Sequence, residues 1–140
     1  MRLREVGLSI VVGFVARPEG RAAVRRAAEE ARLRGTSLVV INSHRGGRDL
    51  DEEEAGSAER ELQELRDTLA ADGISHEVRQ LVRGNEPAED LIAVAREVGA
   101  DFIVIGIRRR TAVGKLILGS NAQRVLLDAP CPVLAVKAEE

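Results

Sequence analysis

The chain has 140 residues, 44% of them hydrophobic and 31% charged, with a formal net charge of -2. That length suits one core and is short for two, so a single domain over residues 1–140 is expected. Balanced charge and two aromatic residues, Phe14 and Phe102, exclude the basic surface and stacking platforms of a nucleic-acid binder. No run of about 18 apolar residues offers a membrane span. One cysteine, Cys131, cannot form an intramolecular disulfide, and no signal-peptide pattern opens the chain, so a cytoplasmic location is expected.

In chain order, a β-branched run at Leu8 to Val15 predicts a first strand. Pro18 then suits the first position of a helix whose small face is Ala23, Val24, Ala27, Ala28 and Ala31, with Gly35 as its stop. Ser37 to Asn42 predicts a second strand. Ala55, Ala58, Leu62, Leu65 and Leu69 mark a second helix closed by Asp72-Gly73, and the acidic run Asp51 to Glu54 is its solvated first turn. Ser75 to Val82 alternates polar and apolar residues, as an outermost strand does. A third helix is expected from Asn85, with Asn85 as its cap, Pro87 in its first turn, Leu91, Ile92, Ala95 and Val98 inward, and Gly99 as its stop. Phe102 to Ile107 predicts a fourth strand. Ser120 to Gln123 has the spacing of a capping box for a fourth helix, with Val125 and Leu126 inward and Pro130 at its end, before a last strand from Cys131 to Lys137.

Strict alternation of strands and helices implies right-handed crossovers and a parallel α/β sheet. Ligands of such sheets bind beyond the carboxyl ends of the strands, where strand order reverses. Attention therefore falls on the loops Val15 to Pro18, Ser43 to Asp49, Arg83 to Asn85, and Gly106 to Ser120. The last is the most suggestive. It leaves a buried strand, crosses three arginines from Arg108 to Arg110, and enters a helix at Gly119-Ser120. A helix amino terminus offers free N–H groups and partial positive charge, a serine adds a donor, and arginines fork onto phosphate oxygens. Gly114-Lys115 is no P-loop, because Arg109 stands where the first glycine belongs and Leu116 where a magnesium-binding hydroxyl belongs.

The order of elements, the ending Asp128-Ala129-Pro130-Cys131-Pro132-Val133-Leu134-Ala135-Val136, and the Gly106 to Ser120 loop together resemble the universal stress protein family, over essentially the whole chain. Nucleotide-binding members carry G-x2-G-x9-G-[S/T] after the fourth strand. Gly106 and Gly119-Ser120 match it at intact spacing, while Arg109 takes the middle glycine's place. Such members also carry an aspartate just after the first strand, and Val15 stands there. The resemblance implies a doubly wound five-stranded parallel sheet of order 3-2-1-4-5 with helices on both faces. It implies adenine near Gly13, Val15 and Ile41, at the ends of the first two strands, with Ile105, Gly106, Arg108, Arg109, Gly119, Ser120 and Asn121 completing the site around the phosphates. It further implies ATP as ligand, a signalling role without catalysis, and a homodimer through the last strand, whose backbone edge would otherwise be open.

Val15 accepts no hydrogen bond, and losing one such contact costs on the order of 1 to 3 kcal/mol. The alternative expectation is therefore a dimeric interaction module of the same fold that has lost nucleotide binding. An enzyme of this fold would need a base or a metal ligand in these loops, and Asp49 and Asp51 are the nearest acids. His44 and His76 lack the grouped partners of a metal site. Cys131, beside Pro132, reads as a buried hydrophobe, not a nucleophile.

Overall fold

The computed structural model describes residues 9–44, 52–108 and 118–138, residues 52–55 in their backbone alone. The elements run β1 (Ser9–Gly13), α1 (Pro18–Arg34), β2 (Ser37–His44), α2 (Glu52–Ala71), β3 (His76–Val82), α3 (Pro87–Val98), β4 (Phe102–Ile107), α4 (Ser120–Asp128) and β5 (Val133–Lys137). All strand pairs are parallel and the order is β3-β2-β1-β4-β5. The expected doubly wound sheet is thus the one observed, with the alternating segment β3 at one edge.

Strand periodicity of two sends successive side chains to opposite faces and builds two cores. Ile10, Val12, Leu38, Val40 and Val104 meet Ala23, Val24 and Ala27 of α1 and Leu62 and Leu69 of α2. Val11, Val39, Ile41, Ile103 and Ile105 meet Ala88, Leu91, Val94 and Ala95 of α3 and Val125 of α4. The alanine face of α1 sets that helix close to the sheet. Gly35 and Gly99, both at φ 64, end α1 and α3 in the left-handed conformation that glycine adopts without a Cβ penalty.

Several boundaries differ from the sequence reading. β1 stops at Gly13, because the chain turns where the Arg17 N–H donates to the Val15 carbonyl at 2.8 Å. β2 runs on to His44 by pairing with β3 as far as Val82. β5 starts at Val133, after Pro132, which has no N–H to give a ladder. The cap of α3 is Glu86, whose N–H donates to Glu89 Oε1 at 2.8 Å; Asn85 turns its amide to Asp90 instead. No Ser120 to Gln123 capping box forms. Gly119 is the N-cap, Ser120 is the first helical residue, and Gln123 Nε2 donates to the Leu118 carbonyl at 3.0 Å. Leu126 points outward, 42% exposed, leaving Val125 as the buried residue of α4. Cys131 is half-buried, packed at the margin of the second core; burial, helped by Asp101, pushes its thiol pKa up.

Candidate functional cleft

Strand order reverses between β1 and β4, and the chain leaves the sheet there in a constrained way. Beyond β1 the Phe14 N–H donates to the Ile41 carbonyl at 2.8 Å, and Asn42 Nδ2 donates to the Phe14 carbonyl at 3.0 Å. After the Val15 turn, α1 begins in direct backbone contact with its surroundings. A Cβ on Gly20 would lie 2.7 Å from the Val15 nitrogen and overlap the Val15 carbonyl oxygen. A Cβ on Gly106 would lie 2.5 Å from the Glu19 carbonyl carbon and overlap its oxygen. The two glycines let the first turn of α1 seat against the ends of β1 and β4. No Cβ contact limits Gly119, which faces open space.

Two hollows adjoin at this point. The first is an apolar slot of about 130 Å³, open to solvent, lined by Gly13, Phe14, Ile41, Ala88, Leu91, Ile105 and Val125, together with Ser43 and Pro87. The second is a polar shelf bounded by Arg17, Ile107, Arg108, Gly119 and Ser120. Val15, Glu19, Gly106, Asn121 and Ala122 border both, so the hollows form one continuous cleft.

Its polar groups are held in different ways. Ser43 Oγ donates to Asp90 Oδ2 at 2.5 Å, while Asn85 Nδ2 and Arg83 Nη2 each reach Asp90 Oδ1 at 3.0 Å. Asp90 is fully buried. Burial alone would raise its pKa, but these hydrogen bonds and the Arg83 charge outweigh that and hold it below the ordinary aspartate value. The network ties the end of β2 to the start of α3 and fixes the Ser43 wall of the slot. Asn121 Oδ1 accepts from the Ala88 N–H at 3.0 Å and joins α4 to α3 across the slot floor. Gly119 and Ser120 are exposed at the amino end of α4, where the first-turn N–H groups have no intrahelical acceptor. Among the described residues no group of His, Cys, Asp and Glu is arranged to hold a metal ion. His44 pairs with Asn42 Oδ1 and His76 with the Ile74 carbonyl, each at 2.8 Å.

Of the candidate residues read from sequence, Gly13, Ile41 and Ile105 line the slot, Arg108, Gly119 and Ser120 line the shelf, and Val15, Gly106 and Asn121 border both. Arg109 lies outside the described residues, as do Gly114, Lys115, Asp49 and Asp51. Sequence reading passed over Ala88, Leu91 and Val125, whose helical spacing marks them as core, and Glu19 and Gly20, which sit inside an ordinary helix start.

A cleft at the switch point of a 3-2-1-4-5 parallel sheet defines the class of doubly wound α/β proteins that take ligands beyond their strand ends. Within that class the chain belongs to the Universal stress protein family, whose sequence profile matches residues 9–137. It is 47% identical over 128 residues to a Universal stress protein of Mycolicibacterium smegmatis, covering 91% of this chain and 96% of the relative. Its fold is similar to that of a universal stress protein from Archaeoglobus fulgidus, with a TM-score of 0.80 and 40% identity over 93% of this chain and 98% of that one. It is also similar to the universal stress protein from Archaeoglobus fulgidus solved in complex with dAMP, with a TM-score of 0.73 and 34% identity over 94% and 99% of the two chains.

Proposed function

We propose that the protein binds an adenine nucleotide, ATP among them, with the base in the apolar slot, the sugar at the border, and the phosphates on the shelf before α4. The observation that carries this reading is the junction of a mainly apolar slot, with Glu19 its one charged lining residue, and a shelf edged by Arg17, Arg108 and an open helix amino terminus. The order of these surfaces matches the order of base, sugar and phosphate. The dAMP complex of a relative 34% identical supports the same ligand class.

The protein acts as a cytoplasmic stress-response binder that reports nucleotide occupancy and does not turn the nucleotide over. It assembles as a homodimer through β5, whose outer edge has no neighbouring strand among the described residues. Isothermal titration with AMP, ADP and ATP tests the nucleotide reading. Affinity rises with each phosphate, since the shelf supplies cationic and N–H donors for it. Absence of binding by all three at millimolar concentration refutes it and favours an interaction module with an unfilled cleft. Steady release of phosphate from ATP by purified protein refutes the non-catalytic part alone.

A further inference from the structure

The start of α3 walls the slot, the start of α4 edges the shelf, and one side chain joins them. In the first turn of α3, Pro87 has no N–H, and the Glu89 and Asp90 N–H groups donate to the Glu86 carbonyl at 2.9 and 3.3 Å. That leaves the Ala88 N–H without an intrahelical acceptor. Ala88 is fully buried, so solvent supplies none either. Asn121 Oδ1 accepts this N–H at 3.0 Å. A buried N–H needs a partner, and here the partner comes from the first turn of the next helix.

The two ends of that bond are anchored unequally. The start of α3 is also held by its capping box and by Asp90, which accepts from Ser43, Asn85 and Arg83. The nine-residue α4 has Val125 as its buried residue, with Leu118 and Ala122 packed beside it, and such apolar contacts are not directional. Arg124 and Glu89 span the two helices at 3.8 Å, but both are exposed, and pairs of that kind hold little. Loss of the Asn121 bond therefore shifts the amino end of α4 and leaves the slot wall in place.

We propose that Asn121 is a positioning residue: by holding the Ala88 N–H it sets the amino end of α4 at the distance from the slot at which one nucleotide reaches both. It acts on phosphate through the backbone N–H groups it places, since its own Oδ1 is an acceptor already in use. The proposal rests on the nucleotide reading above and adds that base affinity is independent of Asn121, whereas the gain from phosphates depends on it.

Calorimetric titration of wild type, Asn121→Ala and Asn121→Gln with adenosine and with ATP tests it. The readout is the ratio of the two Kd values, which a general loosening of the fold leaves unchanged. Wild type binds ATP more tightly than adenosine. Asn121→Ala keeps the adenosine Kd within about twofold and weakens ATP about tenfold, the equivalent of one hydrogen bond. Asn121→Gln keeps an acceptor for the Ala88 N–H on a longer stem, so it folds even if the alanine variant does not, and it loses part of the ATP gain. A ratio unchanged in the variants, or a loss confined to adenosine, overturns the role of Asn121 while leaving nucleotide binding intact. Wild type that binds ATP but no adenosine at millimolar concentration, or binds both equally, overturns the division into slot and shelf and the proposal with it. Wild type that binds neither overturns the nucleotide reading as well.

Discussion

Gly106 and Gly119 look equivalent in the sequence, as two ends of one phosphate loop, but the structure gives them opposite mechanical roles. Alanine at Gly106 places a methyl group 2.5 Å from the Glu19 carbonyl carbon and in overlap with its oxygen. The obstacle is backbone, which cannot rotate aside, so the first turn of α1 must back away from β4. Overpacking of this kind costs about 1 to 3 kcal/mol, with backbone clashes at the upper end. For a chain of 140 residues, about 3 kcal/mol corresponds to a fall in Tm of roughly 10 °C. Alanine at Gly119 meets nothing within 4 Å and its φ of -71° suits any residue. It loses only the cap preference of glycine, about 0.5 to 1 kcal/mol. Urea and thermal unfolding of the two variants separate the cases. Gly106→Ala should fall below Gly119→Ala by about 2 kcal/mol at unchanged denaturant slope. Equal losses, or a loss below about 1 kcal/mol for Gly106→Ala, would refute the backbone-contact explanation.

Asp90 predicts a specific acid sensitivity. Its folded pKa is lowered, so its contribution is present above the unfolded value of about 3.9 and is lost as pH falls through the folded value. Asp90→Asn should lower stability at neutral pH by about 2 kcal/mol and show a shallower decline than wild type below about pH 4, as read by urea unfolding across pH; parallel acid limbs would contradict this. Gly13→Val should narrow the slot, since a Cβ there already stands 3.1 Å from Leu91 Cδ1. Nucleotide affinity in that variant should drop at least tenfold, about 1.4 kcal/mol, and an unchanged Kd would argue against base binding in the slot. Ala135 is exposed on β5, so Ala135→Lys should leave the monomer folded and shift a β5-mediated dimer toward monomer in sedimentation velocity. An unaltered oligomer would place the interface elsewhere.

The alternation of apolar runs and helical faces was legible because each element follows its own period, and the 3-2-1-4-5 order came with the family resemblance. Chain ends and caps were less legible. Asn85 is a good cap by composition, yet the buried carboxylate of Asp90 competes for its amide, a partner five residues on that no local pattern reveals. Ser120 lost its capping role to Gly119 by one position, and Leu126 lies on the solvent side of a nine-residue helix with a single buried position. The cleft was half visible. Glycines and arginines announced the shelf, whereas the slot is made of Ala88, Leu91 and Val125, residues that any core would use. Glu19 was hidden for a different reason: an acidic residue in the first turn of a helix is ordinary there, and only the meeting of slot and shelf in three dimensions brings it to the cleft.

The central claim, that the cleft holds an adenine nucleotide, is tested most directly by thermal unfolding of the purified protein over a titration with ATP. A ligand bound only by the folded chain raises stability by about 2.7 kcal/mol at a hundred times its Kd, which for this length is a rise in Tm of roughly 9 °C. A saturable rise of that order is the predicted result, and a Tm unmoved by millimolar ATP would contradict the claim.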